Sequence, residues 1–183
     1  KSFQVALKIL KEKECSGLIN GPISKKHFLN GKNLGITEYL AQKTLKKNKV
    51  AMLIFNKKLS VSPITTHLAL KDVHKNISKQ KIYIHIKLIA EFYKKNFKRI
   101  PKIAITGLNP HCESNFKDCE EGATIIPAIK SLKAQKFKVE GPFPADTIFM
   151  QEHLKKFDVI VGMYHDQVLS PMKTLFGFDA INI

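Results

Sequence analysis

The stretch that most limits what this chain can fold into is Val161-Gly-Met-Tyr-His-Asp-Gln-Val168, with Lys173 a few residues beyond it. An apolar run, Asp158–Met163, stops abruptly at Tyr164-His165-Asp166-Gln167. Apolar side chains on both sides of a strand require cover on both faces, as in the parallel sheets of α/β proteins. The polar residues that follow then lie at the carboxyl end of the strand, where open α/β sheets bind their ligands. The rest of the chain has to supply further strands and the helices that cover them.

It does so in alternation. Phe3, Ala6, Leu7 and Leu10 recur at helical spacing, which predicts an amphipathic helix over 2–14 with lysines on its outer face. Cys15–Asn20 reads as a short strand running into Gly21-Pro22-Ile23-Ser24, a turn with Ser24 as a candidate helix cap. After an Asn30-Gly31 turn, Gly35-Ile36-Thr37-Glu38 predicts a helix to about Lys47, capped by Thr37. Val50–Phe55 and Leu59–Ile64 are apolar runs around Asn56-Lys57-Lys58, a strand-turn-strand pattern ending in Thr65-Thr66-His67. Ile82, Ile86, Ile89 and Tyr93 form one stripe of a long helix over about 78–96, in and near which His74 and His85 read as structural or solvated. Lys102–Thr106 is strand-like and empties into Gly107-Leu108-Asn109-Pro110-His111; a helix over 120–135 follows, with Ile125, Ile129 and Leu132 inward. Gly141-Pro142-Phe143-Pro144-Ala145-Asp146-Thr147 reads as a rigid turn before a helix to about Lys156, and Asn182-Ile183 as part of a further strand. Strands alternating with helices predict an α/β fold around a mixed or parallel sheet.

With 183 residues and a 44% hydrophobic fraction the chain can bury a sizeable core, and no apolar run reaches the ~18–20 residues of a membrane span. A formal charge of +16 raises the question of nucleic acid. Arg99 is the sole arginine, however, and the lysines are spread over every segment, whereas phosphate and base recognition favours clustered arginine. The reading is a lysine-rich surface whose field could attract a phosphorylated small molecule, with neither nucleic acid nor membrane as partner. Cys15, Cys112 and Cys119 are odd in number and lack C-x-x-C spacing, which points to a reducing compartment; Cys112, beside His111, is read as a free thiol in a loop.

His67, His111 and His165 share one context, each following an apolar β-like run. Strand ends of an α/β sheet gather on one edge, so the three can meet there. Three neutral imidazoles with an open position suit a catalytic divalent metal; the alternative is three histidines satisfied by ordinary hydrogen bonds.

Thr65-Thr66-His67-Leu68, Gly107-Leu108-Asn109-Pro110-His111, Gly141-Pro142-Phe143-Pro144-Ala145-Asp146-Thr147 and Met163-Tyr164-His165-Asp166-Gln167, together with Asn20-Gly21-Pro22-Ile23, resemble the 4-hydroxythreonine-4-phosphate dehydrogenase (PdxA) family of pyridoxal 5'-phosphate biosynthesis. The resemblance implies an isocitrate/isopropylmalate-dehydrogenase-like α/β fold, of which residues 1–183 would be one α/β region, the central part of a longer two-domain chain lacking its N-terminal segment and C-terminal end. It implies a metal (Zn, Mg or Co) on His67, His111 and His165, substrate contacts at Thr37, Lys173 and Asn182, and supporting or proton-transfer roles for Asp146 and Asp166. Ile36 stands where the family has a substrate-contacting histidine.

The implied activity is NAD-dependent, metal-assisted oxidation and decarboxylation of 4-phosphohydroxy-L-threonine to 3-amino-2-oxopropyl phosphate, in a cytoplasmic homodimer with its site near the subunit interface. NAD would be bound without a G-x-G-x-x-G fingerprint, and none occurs here. Ile36 motivates an alternative, a dehydrogenase of a related threonate or erythronate phosphate. The missing ends motivate another, a non-catalytic metal- or phosphate-binding fragment, and imply that the 183-residue piece alone is inactive.

Overall fold

The computed structural model describes residues 2–21, 23–24, 35–44, 50–112 and 119–183. The chain divides into two compact units, Lys1–Asn48 and Lys49–Ile183. In the first, α1 (Ser2–Lys11) and α2 (Ile36–Lys43) are the regular elements among the described residues, and Phe3 meets Tyr39 edge to face at 5.9 Å. Two expectations fail here. Cys15–Asn20 is not a strand. Thr37 does not cap a helix: Gly35 holds the cap position, without a side-chain bond, and Thr37 lies in the first turn. Pro22 of the Gly-Pro turn, the Asn30-Gly31 turn and the expected helix end at Lys47 fall outside the described residues.

The second unit contains β1 (Ile54–Phe55), β2 (Ser60–Thr65), α3 (Leu70–Val73), α4 (Lys79–Phe97), β3 (Ile103–Thr106), a π-helical turn (Glu121–Ile125) leading into α5 (Ile126–Ala134), β4 (Val139–Phe143), α6 (Gln151–Leu154), β5 (Val159–Tyr164), α7 (His165–Phe176) and β6 (Ile181–Asn182). The sheet order is β4-β3-β5-β2-β1-β6. Strands β4, β3, β5 and β2 are mutually parallel, while β1 runs antiparallel to both β2 and β6. The fold is therefore mixed α/β, as the alternation of patterns predicts.

The two-residue period of the central strands divides the core in two. Ile103, Ile105, Val159, Val161 and Met163 join Ile82, Ile86, Ile89 and Tyr93 of α4 and Ile129 and Leu132 of α5. The intervening Ala104 and Ile160 face Val168, Leu169 and Met172 of α7. Ser60 and Ser62 of β2 are fully buried and find partners on α4: Ser60 Oγ lies 3.0 Å from the Tyr93 hydroxyl, and Ser62 Oγ 2.6 Å from His85 Nε2. Helix α4 starts where Ser78 Oγ accepts the Lys81 N–H at 3.2 Å. At the amino edge, Arg99 Nη1 and the Lys102 N–H donate to the two oxygens of Asp158 at 2.5 and 2.7 Å, fastening the entries of β3 and β5.

Two further elements differ from expectation. Residues 139–143, read in part as a turn, form β4, and a proline is tolerated there because β4 is an edge strand. After β5, where the sequence pattern assigns no element, His165 opens α7. Among the described residues no helix is long and apolar enough to cross a membrane.

Candidate functional site

Strands β3, β5 and β2 lie side by side and point the same way, and each is followed by one of the three singled-out histidines. His165 directly follows β5, His67 comes two residues after β2, and His111 sits in a short helical turn five residues after β3. The His67 and His165 ring centres are 6.2 Å apart. His111 is exposed and holds φ 59°, in the left-handed region, and Cys112 follows at φ 55°. A backbone strained at two consecutive non-glycine residues persists only when its surroundings hold it.

Glu121 supplies that hold. It has no exposed surface, and its Oε1 accepts the N–H groups of Leu108 and Asn109 at 2.7 and 2.8 Å, while Oε2 accepts from Asn109 Nδ2 at 2.8 Å. Burial works against the ionised form, but the bonds from Asn109 and Leu108 outweigh it and keep the carboxyl below the ordinary glutamate range. A side chain at Gly107 has no room: a Cβ there would come within 2.6 Å of Cys112 Sγ and 3.0 Å of Glu121 Oε1. Gln167, in the first turn of α7, ties the β3 and β5 ends together. Its Oε1 accepts from Thr106 Oγ1 at 2.9 Å and the Met163 N–H at 2.7 Å, and its Nε2 donates to the Gly107 carbonyl at 2.8 Å. Thr65 Oγ1 donates to the Met163 carbonyl at 2.7 Å and joins β2 to the same point. Sequence reasoning missed the roles of Glu121 and Gln167; Gln167 stood inside a singled-out motif, but nothing in the pattern distinguishes a buried amide from an exposed one.

The acidic residues stand on either side. Asp166 Oδ1 is 2.6 Å from His165 Nδ1, a contact that favours the Nδ1–H tautomer and leaves Nε2 with a free lone pair. Asp146 is exposed in the turn after β4, and its charge, with that of Glu121, adds to burial in pushing the Cys112 thiol up, against one backbone bond from Gly107. That suits an inert thiol better than a nucleophile.

The substrate positions implied by resemblance are not gathered at this edge within the second unit. Lys173 lies eight residues along α7 from His165, about 12 Å at ~1.5 Å per residue. Asn182 pairs with Ile54, which pairs with Val61, four residues before Thr65, or about 13 Å at ~3.3 Å per residue. Lys173 Nζ instead lies over the Phe178 ring at 6.0 Å, and Asn182 is exposed. Thr37 and Ile36, both half-buried, belong to the first unit.

Two imidazoles sharing one tetrahedral ion, each with nitrogen ~2.0–2.1 Å from it, would have ring centres roughly 5 Å apart. The His67–His165 separation exceeds this, and among the described residues no three His, Cys, Asp or Glu side chains converge as a coordination shell. The donor chemistry suits a divalent ion, but the arrangement does not close around one.

Four parallel strands in a mixed sheet, with histidines and carboxylates at their carboxyl ends, define a class, the α/β folds whose strand ends are the usual ligand edge. Comparison narrows the class. The profile described as "Pyridoxal phosphate biosynthetic protein PdxA" matches residues 1–183, and the chain belongs to that family. It is 42% identical over 182 residues to the 4-hydroxythreonine-4-phosphate dehydrogenase of Sulfurihydrogenibium sp. (strain YO3AOP1), covering 97% of this chain and 56% of the relative. It is 33% identical over 174 residues to the D-threonate 4-phosphate dehydrogenase of Pectobacterium atrosepticum, covering 93% and 53%. The crystal structure of 4-hydroxythreonine-4-phosphate dehydrogenase from Klebsiella pneumoniae superposes with a TM-score of 0.82 at 33% identity, covering 96% of this chain and 54% of that one. The chain thus spans about half the length of the relatives it matches.

Proposed function

We propose that this chain is the central part of a cytoplasmic dehydrogenase of pyridoxal 5'-phosphate biosynthesis that acts on 4-phosphohydroxy-L-threonine. The secondary alcohol is oxidised with NAD as hydride acceptor, and the resulting β-keto acid loses CO2 to give 3-amino-2-oxopropyl phosphate. The observation that carries the reading is the alignment of His111, His165 and His67 behind three adjacent parallel strands in a chain matched by the family along its whole length. His165, whose Nδ1 meets Asp166, presents Nε2 at that edge as a donor for a divalent ion, and the supporting or proton-transfer role falls to Asp166 and Asp146. Glu121 and Gln167 fix the turn and strand ends that carry His111 and His165. Asp146 flanks the same edge. NAD enters from the family likeness alone, and no residue is assigned to it.

Thr37, Lys173 and Asn182 are proposed substrate contacts. Lys173 and Asn182 lie two helical turns and four strand positions from the histidines of their own unit. A homodimer with its site at the subunit interface, the arrangement the likeness implies, would let a second subunit supply them.

Full-length protein given 4-phosphohydroxy-L-threonine and NAD should form NADH, and silence on this compound would end the reading. A second reading, a D-threonate or erythronate phosphate dehydrogenase, is favoured by Ile36 and by the Pectobacterium relative. Turnover of those compounds in preference to the amino acid would establish it instead. A divalent ion on His67, His111 and His165 belongs to the first proposal on the family likeness, since the His67–His165 ring separation does not itself close around one. Elemental analysis should then find one ion per full-length subunit, lost when the three are replaced by Ala; equal metal content in the triple variant would remove it.

A further inference from the structure

The edge of the sheet opposite the histidines carries a cavity of about 740 Å³. That volume lies within the ~300–1,000 Å³ of small-molecule sites. Six of its lining residues are cationic: Lys58, Arg99, Lys102, Lys138, Lys155 and Lys156. The acid among them, Asp158, is already engaged by Arg99 and by the Lys102 backbone. Among the described residues none of the five lysines has a carboxylate within ion-pair distance.

Helix C-termini attract lysines, which accounts for Lys155 and Lys156 just after α6. It does not account for Lys58, Lys102 and Lys138, which lead into β2, β3 and β4. Like charges converging on a concave, low-dielectric wall focus a positive potential into it. The wall is also apolar: Ile100 and Leu175 are 51% and 39% exposed there, beside Phe176 and above the buried Leu59 and Phe157. Cations around an open apolar surface match a ligand with clustered negative charge and a ring.

We propose that this cleft binds a ring-bearing polyanion with the size and chemistry of a nucleoside polyphosphate. The proposal does not depend on the activity assigned to the histidine edge. Calorimetric titration of the full-length protein tests it with ATP, inorganic tripolyphosphate and adenosine as probes, at low and high KCl. ATP should bind, more weakly at high salt; tripolyphosphate should bind several-fold more weakly than ATP, and adenosine not measurably. Replacing Lys138 and Lys155 by Gln should weaken ATP binding about tenfold or more, roughly 1.4 kcal/mol. The matched pair Lys71→Gln and Lys75→Gln, on exposed residues beyond the carboxyl end of β2, removes the same charge and should change it less than about twofold. Absence of ATP binding, equal weakening by both pairs, tripolyphosphate matching ATP, or tighter binding of a long nucleic acid with a steep salt slope would each overturn it.

Discussion

Glu121 shows how one buried carboxylate can organise a turn. It meets two backbone N–H groups and one side-chain amide at 2.7–2.8 Å with no exposed surface of its own. Removing the partner of a buried donor costs its full desolvation. Glu121→Ala is therefore expected to lower stability by about 2–4 kcal/mol in urea unfolding, with the larger share from the stranded N–H groups of Leu108 and Asn109. His85 is the complementary case. Buried on α4 against Ser62, with Lys81 adding to the effect of burial, it is pushed down from 6.5 to about 3 and stays neutral in the folded protein. The unfolded chain takes up a proton below pH 6.5 that the folded one refuses, so this contribution is whole above pH 6.5 and lost as pH falls toward 3. At pH 5 the loss is about 2 kcal/mol, and the depressed Glu121 carboxyl acts in the same direction at lower pH. Unfolding at pH 7.5 and pH 5 should show this slope in the native protein, and His85→Gln should flatten it.

Elements were legible in proportion to how completely they are buried. Strands β3 and β5 sit mid-sheet and read as near-continuous apolar runs, so their places in the sequence matched their places in the fold, while the equally buried β2, Ser-Val-Ser-Pro-Ile-Thr, was placed by the Asn56-Lys57-Lys58 turn before it. Strand β4 pairs on one side only, so Glu140, Gly141 and Pro142 are tolerated and imitate a turn. Helix α7 was hidden for a different reason. Tyr164 caps it without a side-chain bond, so the polar Tyr-His-Asp-Gln run carries no start signal, and its inward residues Val168, Leu169 and Met172 become telling only once β5 is beside them. The turn from β5 into α7 is also tight. A Cβ on Gly162 would stand 2.5 Å from Val168 Cγ1 and 2.9 Å from Gln167 Oε1. Gly162→Ala should therefore cost about 1–3 kcal/mol, seen as a lowered thermal midpoint, although alanine is otherwise welcome in a strand.

For the molecule as a whole, periodicity located the histidine edge, because parallel strands leave their followers on one side. It could not locate Lys173 and Asn182, whose distance from that edge is set by the length of α7 and the register of β6 on β1. Nor could it show the lysines gathering at the opposite edge, since they are far apart in sequence and meet only because the parallel strands β4, β3, β5 and β2 all begin on that edge. One residue of β5 has a wider reach than its apolar side chain suggests. Met163 gives its N–H to Gln167, which grips Thr106 and Gly107, and offers its carbonyl to Thr65. A yoke of this kind means that parting any one of the three strand ends from its neighbours breaks a hydrogen bond at Met163 or Gln167, neither of them a histidine.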